Sequence, residues 1–144
     1  APVDGNPFLS YLLAQLDRQG CTHTILAVGY KKKIIQDFFG SHYKGISLSY
    51  SVEDEPLLTG GALKKALRQA TEDVAVVLNG DTFFSVDFSK MIDFHNQAHS
   101  DATLAVKELH DFSRYGTVQF DDDYRITRFV EKKSCEKGFI KGGV

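Results

Sequence analysis

Apolar residues recur along this chain in two rhythms, one of helices and one of strands. After the turn Gly5-Asn6-Pro7, Leu9, Leu12, Leu13 and Leu16 repeat at helical spacing, with Pro7 suited to a first helical position and Gly20 as the stop. Thr24–Val28 reads as a buried strand ending at Gly29-Tyr30. Ile34, Ile35, Phe38 and Phe39 give the next helix one apolar face, closed by Gly40. Ile46, Leu48, Tyr50 and Val52 alternate with polar residues, the pattern of a half-buried strand, until Glu53-Asp54-Glu55-Pro56 breaks it. The loop Thr59-Gly60-Gly61 leads into a helix carrying Ala62, Leu63, Ala66, Leu67 and Ala70. Val74–Leu78 is apolar without alternation, which predicts a strand covered on both faces in the middle of a parallel sheet. Asp87 is placed to cap a helix presenting Phe88, Met91, Ile92 and His95, and Ala102–Lys107 reads as a further strand.

This alternation predicts an α/β fold, a Rossmann-like three-layer sandwich with a mainly parallel central sheet. After Lys107 the pattern changes. Tyr115–Phe120 and Arg125–Val130 flank Asp121-Asp122-Asp123-Tyr124, an antiparallel hairpin toward the C-terminus. Neither end reads as complete: Ala1-Pro2-Val3 starts without a preceding strand, and Lys141-Gly142-Gly143-Val144 reads as the middle of a new one. The expectation is a fragment of a longer chain, or termini that lie out of view.

Composition narrows the partners. The 144 residues suit one domain. With 17 basic and 19 acidic residues the net charge is −2, so nothing favours nucleic acid or an acidic membrane. No run is long enough to span a bilayer, and the first residues given do not read as a charged-then-apolar signal peptide. Cys21 and Cys135 lack CxxC spacing, so a reduced, cytoplasmic protein is the simpler reading and a disulfide the unsupported alternative.

Candidate chemistry centres on Asp81. It follows the Val74–Leu78 run at Asn79-Gly80-Asp81, and ligands of open α/β sheets bind beyond the carboxyl ends of strands. Asp81 is therefore either a carboxylate for a metal or ribose, or a turn aspartate capping the next element. Gly60 and Gly61 would let backbone N–H groups approach a base or an anion, although capping turns use such pairs as freely. Lys31-Lys32-Lys33 reads as a solvated face rather than a phosphate site, and His95 and His99 lack the glutamate of a HExxH helix. The three aspartates of the hairpin lack the glycine and terminal glutamate of an EF-hand, so they read as a solvated tip. Without Walker A, GxGxxG or GxSxG motifs, phosphate-ester chemistry around Asp81 is the best enzymatic candidate.

Read together, PVDGNPFLSYLLAQLDRQG, LTGGALKKAL, VVLNGDTFFSVD, RYGTVQFDDDYRITRFVEK and GFIKGGV occur in an order that resembles the sugar-1-phosphate nucleotidyltransferases. The series is most similar to the branch containing D-glycero-D-manno-heptose 1-phosphate and mannose 1-phosphate guanylyltransferases. The resemblance implies attack of a sugar 1-phosphate on the α-phosphorus of an NTP with release of pyrophosphate, Mg²⁺ as cofactor, and a product used in surface polysaccharide synthesis. It also implies roles. Residues 1–110 become a nucleotide-binding core and residues 111–144 a sugar-binding hairpin region, within one incomplete catalytic domain. Thr59, Gly60, Gly61, Asn79 and Gly80 lie along the nucleotide, and Asp81 faces metal and ribose. Gly116, Glu131 and Gly143 meet the sugar, and Lys132 holds its phosphate, which makes Asp81 and Lys132 the catalytic candidates; without the resemblance, Glu131-Lys132 reads as an exposed strand end. Glu53 is a separate inference: it is either an exposed loop carboxylate or a carboxylate beside the base, where it accepts from the N1–H and N2–H₂ edge of guanine, whereas glutamine would suit thymine or uracil. GTP and the heptose 1-phosphate are thus the expected substrates, with a thymidylyl- or uridylyltransferase, or a non-catalytic regulatory subunit, as alternatives. A homo-oligomer stays open.

Two departures from the family pattern stand out. Leu58 occupies a position where glycine is common, and a positive φ there would strain it. The Gly-rich triphosphate loop and a second metal-binding aspartate are not found between Ala1 and Val144. The chain by itself is therefore expected to be inactive.

Overall fold

The computed structural model describes residues 2–131 and 135–144. The chain divides into two compact units, Ala1–Ala75 and Val76–Val144. The 110/111 division expected from the sequence falls inside a strand of the second unit, Val106–Phe112.

The first unit opens with two short strands, β1 (Pro2–Val3) and β2 (Asn6–Pro7), paired antiparallel about Asp4 and Gly5. Both turn residues have positive φ, as a type I′ hairpin requires. Helix α1 (Phe8–Arg18) follows, with Pro7 at the N-cap rather than the first helical position. It ends in a Schellman motif: Cys21 N–H donates to Leu16 O and Gly20 N–H to Asp17 O, satisfying carbonyls left over at the helix end. Strand β3 (His23–Val28), helix α2 (Lys32–Phe39), β4 (His42–Tyr43), β5 (Ile46–Val52) and helix α3 (Leu58–Leu67) complete the unit.

The sheet order is β3-β5-β4. β3 and β5 run parallel from His23↔Ser47 to Val28↔Val52, so their carboxyl ends are level. β4 pairs antiparallel with β5. The core draws Leu12, Leu13 and Leu16 from α1, Leu26 and Val28 from β3, Phe39 from α2, and Ile46 and Leu48 from β5. These are the positions marked by 3.6- and 2-residue periodicity, so binary patterning alone locates most of this core. The Asp17 carboxylate accepts from Gly45 N–H at 3.1 Å, tying α1 to the β4–β5 turn.

In the second unit, helix α4 (Phe88–Gln97) is capped as expected, with Asp87 Oδ1 accepting from Lys90 N–H at 3.1 Å. Four strands then form an antiparallel sheet: β6 (Val106–Phe112), β7 (Thr117–Phe120), β8 (Ile126–Val130) and β9 (Cys135–Lys141), in the order β6-β9-β7-β8. β7 and β8 are the expected hairpin. Its tip is closed by Asp121, whose Oδ1 accepts from Asp123 N–H and Arg125 N–H at 3.1 and 2.8 Å. One aspartate of the acidic triplet thus caps the turn, a common use of Asx side chains. Val118 is buried, and Phe120 lies 5.0 Å from Phe139 of β9, centroid to centroid.

Three expectations are corrected. Residues 74–78 form no ladder with any described segment, and Val74 and Val77 are 37% and 45% exposed. An unbroken apolar run has the composition of a buried strand, but a strand exists only where a partner edge receives its N–H and C=O groups. The strand expected over residues 102–107 enters the ladder only at Val106, which pairs with Lys141. The C-terminal strand does not run through Lys141-Gly142-Gly143-Val144; it is β9, which ends at Lys141 and lies between β6 and β7. Among the described residues no helix is long and apolar enough to cross a membrane.

Candidate functional site

In the first unit the candidate residues gather beyond the carboxyl ends of the parallel β3/β5 pair, where ligands of α/β sheets bind. Glu53 N–H donates to Val28 O at 2.8 Å, extending the pairing by one residue. The half-buried Glu53 side chain turns toward α3, and its Oε2 accepts from Leu57 N–H at 3.0 Å. The neighbouring Asp54 carboxylate pairs with Lys32 Nζ at 2.7 Å. That hydrogen bond, and then the lysine's charge, hold Asp54 below the ordinary aspartate range. In the lysine run, Lys32 thus pairs with Asp54, and Lys31 Nζ lies 5.3 Å from the Tyr30 ring centre.

Thr59, Gly60 and Gly61 are not in a loop. They form the first turn of α3, which begins at Leu58. Leu58 has φ 58°, in the left-handed region where a Cβ is crowded, and its side chain is 83% exposed. The departure noted at this position is therefore a strained one. A Cβ at Gly61 would lie 2.9 Å from Leu57 Cβ, so the chain can fold this tightly only because residue 61 has no side chain. Gly60 faces open space. Further along α3, Lys65 Nζ donates to Val52 O at 2.6 Å and fastens the helix to the last residue of β5.

The second unit holds the remaining candidates. Asn79 N–H donates to Gly143 O at 2.9 Å, which joins the Asn79-Gly80-Asp81 turn to the C-terminal glycine pair. Gly143 has φ 87°, and a Cβ there would lie 3.1 Å from Asn79 Nδ2, so both conformation and space call for glycine. Asp81 is exposed, and Thr82 Oγ1 donates to its Oδ1 at 3.2 Å. Gly116 sits at the open end of the β7/β8 hairpin, where a Cβ would lie 2.8 Å from Val130 O and 3.9 Å from Glu131 Cα. The fold therefore brings together Gly116 with Glu131, and Asn79 with Gly143, although each pair is distant in sequence. A cavity of about 130 Å³ lies beside Gly116, lined also by Thr117, Val118, Phe129, Val130 and Lys141. Lys132 lies outside the described residues.

Sequence reasoning did not single out Leu57, Lys65 or Lys141. A backbone N–H and a lysine–carbonyl bond leave no residue-type signature, and Lys141 became notable only when β9 placed it beside Gly116. Of the two histidines, His95 on α4 has its Nδ1 3.0 Å from Thr103 Oγ1, and His99 lies past the end of the helix at Gln97. Among the described residues no group of three or more His, Cys, Asp or Glu side chains comes together to hold a metal.

A family model described as nucleotidyl transferase matches residues 1–144. The chain is 49% identical, over all 144 residues, to a D-glycero-alpha-D-manno-heptose 1-phosphate guanylyltransferase of Aneurinibacillus thermoaerophilus. It is 42% identical to the Campylobacter jejuni protein of the same description. In each case it spans less than two thirds of the relative, 62% and 63%. The crystal structure of HddC from Yersinia pseudotuberculosis complexed with GMP-PN superposes with a TM-score of 0.89 at 33% identity, covering 99% of this chain and 63% of that one.

Proposed function

The chain belongs to the nucleotidyl transferase family, and from that premise we propose that its protein is a guanylyltransferase acting on D-glycero-D-manno-heptose 1-phosphate. The reaction joins the sugar phosphate to the GMP moiety of GTP, releases pyrophosphate and yields a nucleotide sugar for surface polysaccharide synthesis. The observation that carries this reading is the identity to two heptose guanylyltransferases along the entire chain.

No protein nucleophile is required. The sugar phosphate oxygen attacks the α-phosphorus in line with the departing pyrophosphate, so the protein's work is to position the reactants and offset charge. Glu53 accepts from the guanine edge, with Gly60 and Gly61 presenting backbone at the start of α3. Asn79 and Gly143 hold each other across the turn that carries Asp81. Gly116 and Glu131 face the sugar, and Lys132 offsets the charge of its phosphate. Asp81, exposed and bonded through Oδ1 to Thr82, would act as one carboxylate ligand to Mg²⁺. This suits an ion that keeps several waters and takes substrate phosphates with only one or two carboxylates. Bound there, Mg²⁺ supplies charge neutralisation on the phosphate oxygens. A reaction that consumes GTP is in keeping with a cytoplasmic protein.

The test is pyrophosphate release by the full-length protein with Mg²⁺, comparing GTP with UTP and dTTP, and the heptose 1-phosphate with mannose 1-phosphate. The highest kcat/KM is expected for GTP with the heptose 1-phosphate. A preference for a pyrimidine nucleotide, or no turnover with any pair, refutes the assignment.

A further inference from the structure

The contact between Glu53 and Leu57 bears on base choice in a way that the Glu53 side chain alone does not. A backbone N–H only donates, so whatever atom faces Leu57 N–H must be an acceptor. Glu53 offers Oε2 at 3.0 Å, and its Oε1 has no hydrogen-bond partner among the described residues. The donor itself is held. Leu57 folds back against Gly61, and the next residue is fixed in the left-handed region. The segment is anchored on both sides by Glu53 N–H to Val28 O, Lys32 to Asp54, and Lys65 to Val52 O.

We infer that the Leu57 N–H orients the side chain at position 53 and so decides whether an acceptor or a donor faces the base. With glutamate both terminal atoms are acceptors, and the one turned away from Leu57 suits the N1–H and N2–H₂ donors of guanine. With glutamine the only acceptor goes to Leu57, because its amine there would oppose donor to donor. The amine then faces the base, where it repels guanine's N–H groups and matches a pyrimidine carbonyl. Leu57 is a positioning residue, acting through its backbone. A side chain free to rotate would behave otherwise, since a glutamine could turn its carbonyl to guanine and keep much of the affinity.

This inference rests on the reading that Glu53 meets the base, and the experiment separates the two. In the full-length protein, amide hydrogen exchange at Leu57 is measured for the wild type, Glu53→Gln and Glu53→Met. Protection is expected in the first two and a loss of about 10-fold or more in Glu53→Met, which offers no oxygen acceptor. Competition binding of GTP, ITP and UTP follows. ITP lacks the N2 amino group and should bind the wild type about 10-fold more weakly than GTP, while Glu53→Gln should weaken GTP by about 100-fold and reverse the order of GTP and UTP. Equal Leu57 exchange in the wild type and Glu53→Met overturns the inference. So does a Glu53→Gln variant that keeps Leu57 protected yet binds GTP within about 3-fold of the wild type. A wild type that binds GTP, ITP and UTP equally while protecting Leu57 refutes the base contact instead, and removes the specificity role with it.

Discussion

Replacing Leu58 with glycine should stabilise the protein, although Leu58 begins a helix in which glycine is ordinarily harmful. The left-handed conformation costs an L-residue about 1–2 kcal/mol, and glycine escapes that cost. Against this, glycine loses more backbone entropy on folding, about 0.5–1 kcal/mol. The leucine side chain is 83% exposed, so deleting it forfeits only a few tenths of the roughly 2 kcal/mol that full burial of such a side chain provides. The balance is about 0.5 kcal/mol in favour of Leu58→Gly. The control is Lys64→Gly, an exposed position within the same helix where no strain is relieved. It should lose about 1 kcal/mol. Urea unfolding separates them, with midpoints moving in opposite directions by a few tenths of a molar at unchanged slope, taking about 2 kcal/mol per molar. If Leu58→Gly falls as far as Lys64→Gly, the strain does not exist, and the departure from glycine at this position carries no cost.

Other outcomes follow from the same geometry. Asp81→Asn should leave stability within about 0.5 kcal/mol, because the side chain is exposed, while lowering kcat/KM about 100-fold or more and raising the Mg²⁺ concentration needed for activity. Asp87→Ala removes the acceptor for Lys90 N–H and should cost about 1 kcal/mol in chemical denaturation, with Asp87→Ser recovering most of it. Gly142→Ala would place a Cβ 2.6 Å from the Phe84 ring, and the overpacking should lower stability by about 1–3 kcal/mol by the same measurement. The Lys32–Asp54 pair should be sensitive to pH. Because the folded-state pKa of Asp54 is depressed, its contribution is present above the ordinary aspartate value and is lost as pH falls through the lower, folded value. In an NMR titration, Lys32→Ala should move the Asp54 midpoint upward; an unmoved midpoint means that Lys32 is not the cause.

The amino-acid sequence by itself determined what depends on near neighbours. The face of α1, the alternation of β5 from Ile46 to Val52, the Asp87 cap and the β7/β8 hairpin were all legible, because each is decided by side chains a few positions apart. Five ordered motifs likewise identified the family, and with it the residues that deserve testing. The tertiary structure alone decided the pairings. Val74–Leu78 reads as a strand covered on both faces and joins no ladder, while Cys135–Lys141, with little apolar signal, occupies an interior position of a sheet. Hydrogen-bond partners remote in the chain make that choice, and neither composition nor period records them. The same is true of the candidate site. Asp81 could be picked out by its place after an apolar run, but the turn beneath it is held by Gly143, 64 residues downstream of Asn79. That Glu53 shares its carboxylate with Leu57 N–H was likewise invisible, because a backbone donor has no letter in the sequence and is placed only by the folding of the chain around it.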